Sequence, residues 1–302
     1  MTVPLDKPAA PARQDRQVGL IGVGLVGTAL SERLLAAGYD VIGFDTAAGQ
    51  LDNLRRLGGV AARSAAEAAA RSRRVILSLP TSEIGGTVID EIAPHLAPGA
   101  IVIDTTTGEP DQVAGFGARL AAQGIRYLDA TIGGSSRQVL DGDAILICGG
   151  EPETFAACQD LFAVCGRSAF HVGPCGAGAR MKLVLNLVLG LNRAVLAEGL
   201  TYAAAAGIDP AAALEILKAG PAYSRVMDAK GRKMITGDFT AEARLSQHLK
   251  DVRLILASGA HCGAWLPLSA LHRELLEKAE AAGFGAADNS AVIKAFEENP
   301  PR

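Results

Sequence analysis

Residues 18–30 read VGLIGVGLVGTAL, and the rest of the chain is organised around this stretch. Val18, Leu20 and Ile21 form an apolar run of the length of a buried strand. Gly22, Gly24 and Gly27 follow at the spacing G-x-G-x-x-G, and residues 29–37 continue as an amphipathic segment. Strand, turn and helix in this order offer the backbone N–H groups of a helix start to an anion. The first glycine permits a tight bend, the second lets a pyrophosphate approach the backbone, and the third lets helix and strand pack closely. The chain has 35 glycines, so the spacing alone has little weight, and context has to supply it. A second apolar run, 41–44, ends in Asp45. A carboxylate about 20 residues beyond such glycines is placed to accept hydrogen bonds from an adenosine ribose.

Outward from this turn, strands and helices alternate. After Asp45, residues 49–57 and 64–72 read as helices and 75–79 as a buried strand ended by Pro80. A helix over 82–95 precedes a strand over 101–104, with three threonines, Thr105, Thr106 and Thr107, at its end. Residues 112–123 are helical, 125–130 extended, 144–148 a strand and 151–165 a helix. This alternation predicts an α/β fold with a Rossmann-type, doubly wound parallel sheet. Ligands of such sheets sit beyond the carboxyl ends of the strands, where Asp45, Pro80, Thr107 and Gly133 fall. Beyond Pro174 no strand is expected. Residues 181–206, 210–219, 224–234, 245–260 and 267–282 read as helices, stopped at Gly207, Gly220, Gly237 and Gly283. The predicted organisation is a disordered tail over 1–16, a dinucleotide-binding domain over 17–175 and an all-α domain over 176–302. The stretch 183–200 is the most apolar, yet it contains Asn186, Asn192, Arg193 and Glu198, which marks a buried helix rather than a bilayer span. A helix apolar over most of its circumference belongs in a domain core or a subunit interface.

Composition excludes several classes. A net charge of -3 makes no electrostatic case for nucleic acid. Five cysteines form no C-x-x-C pair, as expected of reduced thiols in a cytoplasmic protein. The five histidines show no metal-ligating spacing, so no metal is expected. No membrane partner is expected, and the N-terminus does not read as a signal peptide.

For chemistry beside a dinucleotide, the informative residues are Lys182 and Asn186, four apart on one helical face. Burial of the lysine would lower its pKa and make it a usable acid or base, with Asn186 holding a substrate hydroxyl. Spacing alone leaves open a solvated lysine near a helix start and an incidental asparagine.

The chain resembles the β-hydroxyacid dehydrogenase family, the group of 3-hydroxyisobutyrate dehydrogenase and tartronate semialdehyde reductase, from about Val18 to about Ala295. The family's opening G-x-I-G-x-G-x-M-G appears over 19–27, with Val26 in place of methionine. Its Leu-Pro turn is Leu79-Pro80, and its nicotinamide-side Ser/Thr corresponds to Thr107. Its G-x-x-x-K-x-x-x-N motif is Gly178, Lys182 and Asn186, and its late K-D pair is Lys250-Asp251. Residues 288–291, DNSA, resemble its C-terminal segment. The resemblance implies an NAD(P)-dependent oxidoreductase that interconverts a small 3-hydroxy acid and its semialdehyde, with Lys182 as general acid/base and Asn186 beside it in a cleft between the domains. It assigns Gly22, Val23, Gly24, Leu25, Val26, Gly27, Asp45, Leu79, Pro80, Thr107 and Lys250 to the cofactor. NAD is the expected cofactor because Asp45 would repel a 2′-phosphate and Thr46 stands where NADP-using relatives tend to carry arginine; NADP is the alternative. A homodimer or homotetramer through the helical domain is expected.

One motif departs. The family's substrate loop D-A-P-V-S-G-G reads here DATIGGS over 129–135, so its carboxylate-binding serine is Gly133. Ser135, Ser136 or Arg137 could supply a replacement donor. Alternatively, the N–H groups of Gly133 and Gly134 hold the anion and Ser135 is a turn residue. An imine reductase is the alternative enzyme, although those relatives usually lack the lysine. A non-catalytic dinucleotide-binding protein is the alternative from another class, and a 6-phosphogluconate dehydrogenase would need a longer helical domain.

Overall fold

The computed structural model describes residues 2–4 and 16–297. Its contacts divide the chain into two compact units, with the division between Lys182 and Leu183.

The N-terminal unit holds one sheet of nine strands: β1 (Thr2–Pro4), β2 (Gln17–Ile21), β3 (Asp40–Phe44), β4 (Val60–Ala61), β5 (Arg74–Leu77), β6 (Ile101–Asp104), β7 (Arg126–Gly133), β8 (Ile145–Gly150) and β9 (Ser168–Gly173). Their spatial order is β1-β9-β8-β7-β6-β5-β2-β3-β4. Strands β2 to β7 are parallel. β8 runs antiparallel to β7, β9 parallel to β8, and β1 antiparallel to β9. Every residue of β5 and β6 is buried, the mark of parallel strands covered on both faces. Successive residues supply opposite faces. Val18, Leu20 and Ile76 join a core with Leu34 and Phe162. Ile21, Val75 and Leu77 join a second one with Ala68, Ile89 and Leu120. From β2 the chain winds outward to β3 and β4, then returns to place β5 on the other side of β2. The glycine turn at the end of β2 therefore lies at a topological switch point.

Thr2–Pro4 form an edge strand paired with Ser168–Phe170, where a disordered tail was expected. Backbone pairing needs no apolar composition, so the polar sequence did not reveal it. The remainder of that tail, residue 1 and residues 5–15, lies outside the described residues. β9 was not expected, because its short, partly buried run is interrupted by His171. Residues 151–165 form two helices, Pro152–Ala156 and Gln159–Cys165, rather than one.

The C-terminal unit is helical, with an isolated bridge between Arg244 and Asp288 as its strand-like pairing among the described residues. Leu196, Leu200, Leu214, Leu249, Val252 and Leu276 lead its core. Where one helix was expected over 224–234, a π-helical stretch, Met227–Gly231, leads into Arg232–Thr236. Lys230 Nζ lies 2.9 Å from the fully buried Asp288 and 3.1 Å from Glu242. The long helix is Ala177–Ala205. Its length and composition alone would suffice to cross a membrane. Yet Asn186 and Arg193 are buried within the protein, the pattern of a core helix.

Strand signals end near Pro174, whereas the contacts divide the chain further on, because the first turns of the long helix are fastened to the sheet. Asp129 on β7 accepts hydrogen bonds from Gly176 N–H (3.0 Å) and Ala179 N–H (2.7 Å), and Ala179 packs in the second sheet core.

Candidate active site

The glycine turn is built for a phosphate. Gly22 has φ +91° and donates its N–H to Phe44 O at 2.9 Å. A Cβ at Gly22 would lie 2.2 Å from Ser78 O, and one at Gly27 would lie 2.0 Å from Gly22 O. A Cβ at Gly24 would meet nothing within 4 Å. The first and third glycines thus serve the protein's own packing, and the second faces open space that a pyrophosphate can fill. The helix Leu25–Ala36 starts at Gly24 with no side-chain cap, so the N–H groups of its first turn remain for an anion. Leu25 is half exposed beside them. Val23 N–H donates to Asp45 Oδ2 at 2.7 Å, and Ala47 N–H to Asp45 Oδ1 at 2.8 Å. This locks the carboxylate beside the turn, and each oxygen keeps a lone pair for a ribose hydroxyl. The residues present fit a nicotinamide dinucleotide.

The same edge carries the ends of β5 and β6. Leu79 N–H donates to Thr106 Oγ1 at 3.2 Å, and Thr105 Oγ1 donates to Leu77 O at 2.7 Å. Asp104 accepts from Thr106 N–H at 2.9 Å and from Tyr127 O–H at 2.8 Å, and burial raises its pKa. β6, β5, β2 and β3 are consecutive neighbours. Thr107, Leu79 with Pro80, Gly22 to Gly27 and Asp45 therefore share one sheet edge.

The loop after β7 begins at Gly133 and Gly134. Ser135 caps the helix Ser136–Leu140 through a capping box with Gln138. Its Oγ accepts from Gln138 N–H at 3.3 Å, and its own N–H donates to Gln138 Oε1 at 3.0 Å. The Ser135 hydroxyl hydrogen remains available as a donor. Arg137 is exposed, and its Nε donates to Asp141 Oδ2 at 2.8 Å, which leaves its terminal nitrogens. Sequence reasoning did not identify Asp141 as a competitor for Arg137.

In the sequence Asp129 stands as the first residue of this loop motif. In the structure it fastens the start of the helix that carries Lys182, three residues beyond Ala179. Burial pushes its pKa up to about 6, against the two amide donors, which favour the charged form.

Lys182 is 8% exposed and Asn186 5%. The reading of a solvated lysine fails. Asn186 Nδ2 donates to Asp251 Oδ2 at 2.8 Å, and Lys250 Nζ stands 3.1 Å from Asp251 Oδ1. Asp251 thus links Asn186 to Lys250, a role the sequence reading missed because it took the K-D pair for its lysine. The signal was present: Asp251 is flanked at 249 and 252 by core residues. Held through its amide nitrogen, Asn186 keeps its amide oxygen and a second N–H hydrogen for another partner. A buried amine and an amide one helical turn apart can move a proton and orient an oxygen.

Comparison with known proteins identifies the family of both parts of the chain. Residues 17–173 match the family described as the NAD binding domain of 6-phosphogluconate dehydrogenase. Residues 176–296 match the NAD-binding family of NADP-dependent 3-hydroxyisobutyrate dehydrogenase. The chain is 31% identical to 2-(hydroxymethyl)glutarate dehydrogenase of Eubacterium barkeri, over 93% of this chain and 95% of that protein. It is 29% identical to L-threonate dehydrogenase of Cupriavidus necator, over 93% and 96% of the two chains. The crystal structure of 3-hydroxyisobutyrate dehydrogenase from Salmonella typhimurium superposes with a TM-score of 0.86 at 25% identity, covering 93% of this chain and all of that one.

Proposed function

We propose, because the chain belongs to the β-hydroxyacid dehydrogenase family, that it interconverts a small 3-hydroxy acid and its semialdehyde. The relatives it matches include the hydroxyacid dehydrogenases named above. The observation that carries the finer reading is the burial of Lys182 and Asn186, with Asn186 held by Asp251. When bound, the nicotinamide cofactor supplies or accepts the hydride. Lys182 Nζ gives a proton to the carbonyl oxygen in reduction and takes it from the hydroxyl in oxidation. Asn186 orients that oxygen. The substrate's acid group is held by the N–H groups of Gly133 and Gly134 and the hydroxyl of Ser135, with Arg137 as a further donor.

Lys182→Ala should lower kcat by roughly 10²–10⁴-fold, the contribution of a positioned acid/base. Dinucleotide affinity, read by titration, should stay unchanged. Assay of a panel of 3-hydroxy acids by nicotinamide absorbance checks this, and undiminished kcat in the variant overturns the role of Lys182. NAD is the preferred cofactor in this reading, since the braced Asp45 carboxylate would repel a 2′-phosphate. A stripe of Val184, Val188, Val195 and Tyr202 stays exposed along the long helix. It supports a homodimer or homotetramer, to be checked by light scattering. All five cysteines are free, which supports a reducing, cytoplasmic setting.

A further inference from the structure

The loop after β7 is held at both ends, and the second hold comes from the helix that starts at the glycine turn. Ser136–Leu140 has five residues, too few to persist by its own hydrogen bonds. Its N-terminus is closed by Ser135 and Gln138. Its C-terminus is closed by Arg33, which stands in the last turn of Leu25–Ala36. Arg33 Nη1 donates to Leu140 O at 3.4 Å, and Nε donates to Val164 O at 2.8 Å. Leu140 ends the loop helix, and Val164 lies in the last turn of Gln159–Cys165. Both carbonyls belong to the set that a helix end leaves without an internal partner.

The guanidinium is also confined. Gly142, with φ +72°, follows the loop helix, and a Cβ there would lie 2.8 Å from Arg33 Nη2 and 3.1 Å from Cζ. The returning backbone of the loop thus passes directly against the guanidinium. Among the described residues no carboxylate pairs with Arg33, so its charge is directed at the negative ends of two helices. Between the two closed ends, Val139 and Leu140 pack in the core that Val26, Leu30 and Leu34 also line.

We propose that Arg33 is a positioning residue for substrate binding: by clamping the far end of this loop to the dinucleotide helix, it fixes Gly133 to Arg137 in the arrangement that receives the substrate's acid group. The inference rests on the assignment of that loop to the substrate. A fork of donors suits two carbonyls on different segments, whereas the ammonium of a lysine is a point donor on a flexible stem. Without the clamp the loop samples other arrangements, and apparent affinity falls with the fraction of molecules that stays competent. Arg33 lies about 12 Å along its helix from Leu25, at 1.5 Å per residue, so the N–H groups at the helix start keep their geometry.

The test is steady-state kinetics of Arg33→Gln and Arg33→Lys in the full chain, on the best substrate of the 3-hydroxy acid panel, with a dinucleotide titration of each variant. Arg33→Gln should raise KM for the acid about tenfold, a fall of the competent fraction to about a tenth. Its kcat at saturating acid and its dinucleotide affinity should match the wild type. Arg33→Lys should recover part of the lost affinity. Hydrogen exchange is the second readout: in Arg33→Gln the amides of 139–144, which bond within the loop, should exchange faster, while those of β2 and β5 keep their rates. Unchanged KM in both variants, equal loss of dinucleotide affinity, or unchanged exchange over 139–144 would overturn the clamp. A wild type that binds the dinucleotide but turns over no hydroxy acid would count against the dehydrogenase reading instead, and the exchange measurement would still decide the role of Arg33.

Discussion

Gly22 and Gly24 stand two residues apart in one turn and meet opposite surroundings. At Gly22 the backbone has positive φ and a methyl group would meet a carbonyl oxygen at 2.2 Å. Gly22→Ala should therefore destabilise the N-terminal unit by roughly 1–3 kcal/mol, read as a lower urea midpoint. At Gly24 the methyl group would meet open space, so Gly24→Ala should leave the midpoint within ~0.5 kcal/mol. The same variant should weaken dinucleotide binding in a fluorescence titration, because the methyl group occupies the phosphate's approach. Equal losses of stability in both variants would contradict the division of roles. The spacing of these glycines was legible in the sequence because the turn is local. Asp251 was not legible as a partner of Asn186, because 65 residues separate them and only folding brings them to 2.8 Å.

The long helix shows what a single element adds. Its periodicity and apolar character mark it in the sequence, but its anchor does not. Asp129 accepts from two amides in the region of the helix start, three residues before Lys182. Asp129→Ala should remove a cap worth about 1–2 kcal/mol and leave two buried N–H groups without an acceptor. Asp129→Asn should fall between the variant and the wild type, since its amide keeps one acceptor oxygen. Denaturant unfolding checks the order of stabilities. Restoration of full stability by alanine would contradict the anchoring role.

The molecule as a whole carries opposed responses to acid. His272 is buried near the buried Arg193, and burial is the larger cause that lowers its pKa to about 4. The unfolded chain takes up that proton near pH 6.5, so it binds more protons than the native state between these values. Stability from His272 is therefore present above pH 6.5 and is lost as pH falls towards 4, by about 3 kcal/mol at ~1.4 kcal/mol per pH unit. Asp129 acts in the other direction. Its native pKa of about 6 exceeds that of the unfolded carboxyl, so its stability is present below pH 4 and lost as pH rises through 6. His272→Gln should thus gain stability relative to wild type as pH drops from 7 to 4.5, measured as the difference in urea midpoints. A constant difference across this range would show that His272 is not held neutral.

The sequence by itself determined the alternation of strands and helices, the glycine turn, the acid at the end of β3 and the i, i+4 pair of Lys182 and Asn186. Each of these is a pattern of neighbours, and backbone geometry converts near spacing into near position. Only the tertiary structure decided that Lys182 is buried, that Asp129 anchors its helix and that Asp251 holds Asn186. These depend on contacts between distant segments, and a buried charge or amide takes its partner from whichever segment the packing brings within hydrogen-bond reach.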